Sequence, residues 1–215
     1  MKQDARALAL KAVKWSAASA DYIVPPHRGV VLLQYHRVGR RAPVELDLPP
    51  ARFEEQMALL ADERRVTTLD RAAELLEGDA VPERDPVVVT FDDGTADFAD
   101  NVAPVLARYH IPVVLYVATA FVEHQWRFPH DGVPLTWSAL RDLVASGLVT
   151  VGSHTHTHAV LDRADCAVAA AELDESIGLL EDRLGLTPHH FAYPKGVLGS
   201  AVAAAAVRHR FASAA

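Results

Sequence analysis

Hydrophobic positions along this chain alternate between short continuous runs and runs of helical period. Residues 29–36 (Gly-Val-Val-Leu-Leu-Gln-Tyr-His) form an apolar, β-branched stretch introduced by Pro25-Pro26, the pattern of a buried strand with His36 at its polar end. Residues 50–63 place Phe53, Met57 and Leu60 at helical spacing, and a second helix is predicted over 69–77. Residues 86–91 (Pro-Val-Val-Val-Thr-Phe) read as another buried strand, running directly into Asp92-Asp93-Gly94. The pattern then predicts a helix over 99–109, a strand over 111–118, a helix over 138–145, and a strand over 148–152 that leads into Ser153-His154. A long Ala-rich helix over 167–184 and a short strand over 191–193, stopped by Pro194, complete the series. Strands alternating with helices imply an α/β fold, either a parallel sheet or an α/β barrel. No repeat or linker divides it, the nearest thing to low complexity being the Ala-rich tail at 201–206.

Composition narrows the class. With 215 residues, 50% hydrophobic and 23% charged, the chain is long enough for one sizeable core. A formal charge of -7 offers no broad basic surface, which argues against nucleic acid as a partner. The single cysteine, Cys166, excludes an intramolecular disulfide framework. Residues 5–20 fit an amphipathic helix, with Leu8, Val13 and Trp15 among its apolar positions, read here as padding the core instead of lying on a membrane. No stretch reaches the roughly 18 apolar residues of a membrane span, and the N-terminus has no signal-peptide core. The chain is therefore expected to be cytoplasmic as it stands.

In parallel α/β architectures the carboxyl ends of the strands carry the site, and here those ends collect polar groups. Asp92 and Asp93 after one buried strand repel each other and lose solvation, a costly arrangement unless a cation or a proton resolves it. A divalent metal held by one Asp leaves the other near enough to a water to act as general base, with Gly94 allowing a tight turn; the alternative is a solvated turn and helix cap. The segment Ser-His-Thr-His-Thr-His (153–158) offers imidazole ligands. If it stays extended, His154, His156 and His158 point the same way; if it turns, His154 and His158 pair and His156 points elsewhere. Two histidines and Asp93 suffice to leave an open coordination position, which favours His154 and His158.

Thr90-Phe91-Asp92-Asp93-Gly94, Ser153 to His158, and Phe191-Ala192-Tyr193-Pro194-Lys195-Gly196 resemble, in order and spacing, the first three motifs of the polysaccharide deacetylase family, the NodB-homology domain. Gln34-Tyr35-His36-Arg37-Val38 resembles the branch that includes poly-N-acetylglucosamine deacetylases. The likeness covers about 29–212 and implies a distorted (β/α) barrel, with 1–28 as an N-terminal helical extension and 29–215 as the NodB-like domain. It implies a metal-dependent hydrolase that removes N-acetyl, or less favourably O-acetyl, groups from an oligo- or polysaccharide. Asp92 is then the base; Asp93, His154 and His158 hold the metal, zinc first with cobalt, nickel or iron acceptable; the backbone of Lys195 is the oxyanion donor; and Tyr193 and Pro194 shape the pocket wall. Enzymes of this kind often act outside the cell, which leaves action there or in the cell envelope open.

Two departures matter. Ala192 stands where many members carry an Arg that orients the catalytic Asp, and the chain stops at Ala215 where members usually continue into further strands, one of which can supply a general acid. His36 is the best replacement acid, the alternative being a structural histidine. A barrel short of its last strand or two exposes sheet edges, which predicts a homodimer or marginal stability. Trp126 and Trp137 are candidates to stack on a sugar, Trp137 equally a helix-start anchor; His124, His130, His156, His189, His190 and His209 are expected in solvated loops. The rival readings are an inactive sugar- or metal-binding relative and a hydrolase of other amides.

Overall fold

The computed structural model describes residues 29–39, 46–78 and 83–215, so the helix expected over 5–20, and with it the 1–28 extension, lies outside the described residues. The chain enters through β1 (Val31–Tyr35), followed by two-residue strands β2 (Arg37–Val38) and β3 (Asp47–Leu48) that pair with each other in parallel. Helix α1 (Pro50–Glu63) starts on Pro50, where a missing N–H costs nothing, and buries Phe53, Met57 and Leu60 on one face. It ends at Arg64 in the left-handed region, φ 52°. Thr68 caps α2 (Leu69–Glu77) by accepting from the Arg71 amide at 3.2 Å.

Strand β4 (Val87–Phe91) follows, then a π-helical turn (Phe98–Val102) that leads into α3 (Ala103–Tyr109). The sequence predicts one regular helix here; Pro104 has no N–H and its ring crowds the carbonyl of residue 100, which the widened turn relieves. Strand β5 (Val113–Val117), a short α4 (Thr119–His124), α5 (Trp137–Ala145, capped by Thr136) and β6 (Val149–Ser153) come next. Helix α6 (Cys166–Leu184) is capped by Asp165 and closed by Gly185 at φ 69°, a backbone state that favours glycine. The chain finishes with β7 (His190–Phe191), α7 (Ala201–Arg210) and β8 (Ser213–Ala214).

The main sheet is all parallel in the order β1-β4-β5-β6-β7-β8, an open, curled half-barrel in which β1 and β8 are the edges among the described residues. Its outward residues (Val87, Val89, Phe91, Val113, Leu115, Val117, Val151) pack with the helices into the main core. Tyr116 and Val114 face inward with Ala192, and a second core of Leu161, Leu173, Phe191, Tyr193, Val207 and Phe211 lies under α6 and α7. Two expectations are corrected. β1 is an edge strand with Val31 and Leu32 exposed at 37% and 44%, because only β4 pairs with it among the described residues. The Ala-rich stretch at 201–206 is part of α7, nucleated by Ser200 accepting from the Ala203 amide and anchored by Ala203 and Val207. Among the described residues no helix is long and apolar enough to cross a membrane.

Candidate active site

The carboxyl ends of β1, β4, β6 and β7 bring the chemical groups together. After Phe91 the chain turns sharply, with Asp93 at φ 74° and Gly94 at φ 90°; a Cβ on Gly94 would meet Val117 Cγ1 at 3.4 Å. That turn sends Asp92 into the half-barrel, 3% exposed, and Asp93 toward the histidine segment. The segment leaves the sheet after Ser153 and bends, with Thr155 at φ 62° and His158 at φ 61°. The bend selects the turned alternative. His154 and His158 converge at a ring separation of 4.9 Å, their Nε2 atoms 3.7 and 3.3 Å from Asp93 Oδ1.

His156 points away, its Nδ1 3.0 Å from Thr119 Oγ1, and it is partly buried, unlike the solvated loop residue expected. His190 departs further from that expectation: it is 2% exposed on β7, with Nδ1 2.9 Å from Ser213 Oγ and Nε2 3.3 Å from Asp70.

Ligand atoms of Asp93, His154 and His158 all lie within 4.8 Å of one another. His154 is 1% exposed and its Nδ1 donates to the Ala192 carbonyl at 2.9 Å, which fixes the tautomer and leaves Nε2 with a free lone pair. One carboxylate and two imidazoles fit a borderline divalent metal with a position left for water.

Two groups not singled out in the sequence hold this arrangement. Gln34 Nε2 donates to Asp92 Oδ2, and His36 Nε2 stands 3.7 Å from the same oxygen, so Oδ2 is engaged while buried Oδ1 has no protein partner. Gln34 thus orients Asp92 where Ala192 replaces the expected Arg. Glu172 of α6 clamps the histidine segment, accepting from the amides of His156 (3.0 Å) and Thr157 (2.8 Å) and from Thr157 Oγ1 (2.6 Å).

Electrostatics separate the two aspartates. Burial pushes Asp92 above the usual carboxylate range, aided by the Asp93 charge and opposed by His154, His36 and the Gln34 hydrogen bond. Burial acts on Asp93 as well, but the His158 hydrogen bond and the charges of His154, His158 and His36 outweigh it and hold Asp93 low. Burial lowers His154, against the pull of both carboxylates. Tyr116 lies beneath with its hydroxyl buried and unpartnered, its pKa raised by burial and by the Asp92 charge.

Among the other expected residues, Lys195 is exposed at φ 61° in the turn Pro194–Gly196 at the top of β7. Pro194 is buried, and the Tyr193 ring packs edge-on against Phe191 at 4.9 Å in the second core. Trp137 packs against the main core and donates to Glu123 at 2.7 Å, an anchor at the start of α5. On the His36 side a cavity of about 320 Å³ is lined by Gln34, His36, Arg37, Leu46, Leu48 and Gln56, among others.

A family profile described as polysaccharide deacetylase matches residues 79–213. The chain is 27% identical over 190 residues to the poly-beta-1,6-N-acetyl-D-glucosamine N-deacetylase of Staphylococcus epidermidis, with 77% of this chain and 64% of that protein covered. It is 29% identical over 142 residues to the protein of the same name from Escherichia coli K12, with 60% and 21% covered. The chain thus spans 21% to 64% of the length of these curated relatives. Among solved structures it is similar to IcaB from Ammonifex degensii (TM-score 0.72, 26% identity, 86% of this chain and 82% of that one). It also shares the fold of Streptococcus pyogenes deacetylase PplD (TM-score 0.74, 23% identity, 85% and 80% covered).

Proposed function

The chain belongs to the polysaccharide deacetylase family, and from that premise we propose that it is a metal-dependent hydrolase of N-acetyl groups on an N-acetylglucosamine-type oligo- or polysaccharide. The observation that carries the proposal is Asp92 Oδ1, buried without a protein partner beside the Asp93–His154–His158 arc. A divalent ion held by those three residues, zinc first, supplies Lewis-acid polarisation of the acetyl carbonyl and lowers the pKa of a water.

Asp92 takes the water's proton at Oδ1. Gln34 keeps Oδ2 occupied and the carboxylate in one orientation, and burial makes Asp92 a stronger base than an exposed aspartate. Asp93 stays anionic because its neighbours favour the charge. The Lys195 N–H donates to the oxyanion of the tetrahedral intermediate, on a turn that Tyr193 and Pro194 support. His36, partly buried and 3.7 Å from Asp92, protonates the leaving amine, since an amide anion is too poor a leaving group. Trp137 enters as the anchor of the neighbouring wall through Glu123. A homodimer belongs to the same proposal, supported by the outer edge of β1, unpaired among the described residues. The oriented base weighs against an inactive relative.

The test is acetate release from N-acetylglucosamine oligomers by the full chain, with metal content measured on the same sample. Asp92→Asn should keep the metal and lose about 10²–10⁴-fold in rate, the range for a general base; His36→Ala should also keep the metal and lose turnover. A metal-loaded wild type that releases no acetate from any acetylated sugar would sink the proposal.

A further inference from the structure

The loop between α4 and α5 forms one wall of the site. It is tied to the Asp-Asp-Gly turn by the Leu135 amide donating to the Gly94 carbonyl (2.9 Å) and the Ala96 amide donating to the Val133 carbonyl (2.8 Å). Gln125 Nε2 spans its base, donating to the carbonyls of Val122 (2.9 Å) and Leu135 (3.0 Å), and Arg37 Nη1 reaches the His130 carbonyl at 3.3 Å. Inside this frame Phe121 stacks on Phe128 at 4.2 Å and meets His158 edge-on at 6.5 Å. The Trp126 ring leans edge-on against Phe121 at 6.0 Å, with His124 tilted against it at 4.8 Å, and its amide donates to the Phe121 carbonyl at 3.1 Å.

Trp126 is therefore held in place, yet 49% of it is exposed. A single exposed aromatic is ordinary on a protein surface, but one held by ring contacts on two sides offers a ligand a face that is already in place. The loop that carries it exposes Arg127, His130 and Asp131 together with Pro129 and Val133, a mixed polar and apolar surface. A flat aromatic face on a loop that also exposes hydrogen-bonding groups suits a ligand with one face of C–H bonds and an edge of hydroxyls, which describes a pyranose. Successive contacts link Trp126 to Phe121, Phe121 to His158, His158 to Asp93, and Asp92 to His36, which lines the cavity beside it. A chain of sugars lying across the reacting groups in that direction has one end on the indole.

We propose that Trp126 is a binding subsite for a pyranose ring removed from the residue being deacetylated, so that the protein selects oligomers over single sugars. This rests on the carbohydrate deacetylase reading above. The test compares kcat/KM for acetate release from N-acetylglucosamine monomer and tetramer in the metal-loaded full chain, for wild type, Trp126→Ala, Trp126→Leu and Trp126→Phe. The tetramer-to-monomer ratio should fall about tenfold in the Ala and Leu variants, the scale of one aromatic contact, and recover in the Phe variant. Leu keeps apolar bulk without a flat ring, so its loss separates stacking from packing. A ratio in Trp126→Ala equal to wild type overturns the subsite. Should wild type release no acetate, the deacetylase reading fails separately, and calorimetry with the tetramer decides the subsite. Binding weakened about tenfold by Trp126→Ala upholds it, and no binding by wild type overturns it.

Discussion

Removing the Glu172 carboxylate should loosen the proposed metal site without touching a ligand. Glu172→Ala takes away the single acceptor of three donors between His154 and His158: the His156 amide, the Thr157 amide and Thr157 Oγ1. Both Thr157 donors are exposed and can turn to water; the His156 amide is partly buried and cannot do so fully. Hydrogen bonds to a charged acceptor contribute about 1.5–3 kcal/mol each when shielded and less in water, so the net loss is about 1–2 kcal/mol. For a domain of this size that is roughly 2–8 °C in Tm. The larger effect falls on the ions. Thr155 and His158 sit at φ 62° and 61°, backbone that non-glycine residues hold only when surrounding contacts enforce it. With the clamp gone, His158 drifts from Asp93, and metal affinity should fall about 10–100-fold, as for other supporting partners of metal ligands. Cobalt(II) titration followed by d–d absorption, with calorimetry for zinc, measures it. Glu172→Gln keeps the oxygen that accepts both amides and should stay within about threefold of wild type, near 0.7 kcal/mol. A Glu172→Ala protein with wild-type cobalt affinity and an unchanged spectrum would refute the clamp.

Gly152→Ala should destabilise the fold. Its Cβ would lie 2.6 Å from Tyr116 Cδ1 and 2.8 Å from the His190 carbonyl oxygen, and the second cannot move aside; about 3 kcal/mol, or roughly 6–12 °C in Tm, is expected, and an unchanged melting curve would contradict it. Acidification should weaken the fold through His190. Burial lowers its pKa in the native state, with His189 adding to the fall and the Asp70 charge and hydrogen bond opposing it, so the unfolded chain binds the proton more readily. Stability is then lost as pH falls from about 6.5 toward the lower native value. Tm measured from pH 7.5 to 5.5 should drop less steeply in His190→Gln than in wild type, and parallel slopes would discard the idea.

Elements long enough to show their period were legible: α1, α2, β4, β5 and α6 lie where the apolar spacing puts them. β1 has the composition of a buried strand, but composition records apolarity and not how many neighbours a strand has. α7 was hidden by alanine, which carries little contrast between faces; the Ser200 cap was its readable signal. β2, β3 and β8 are two residues each and exist only through their partners. In the site, the turn pairing of His154 and His158 followed from what three ligands require of geometry. The readable signal for Gln34 is its place two residues before His36, the same-face spacing of a strand. Glu172 had no local signal, since it meets the histidine segment only through the packing of α6.

Spatial order in the main sheet is the order of synthesis: β4 joins β1, and β5 to β8 each join the strand made before them. On a ribosome every new strand finds its neighbour already present, and no pairing waits on a distant segment. The same order sets a sequence for the charges. When β4 docks on β1, Asp92 and Asp93 are crowded together before residues 154–158 exist to share them. The half-made chain carries that repulsion until β6 is laid down and α6 brings Glu172 over the histidine bend. Completion of the stretch from 149 to 172 thus supplies the histidines that share the Asp93 charge and the carboxylate that holds their bend.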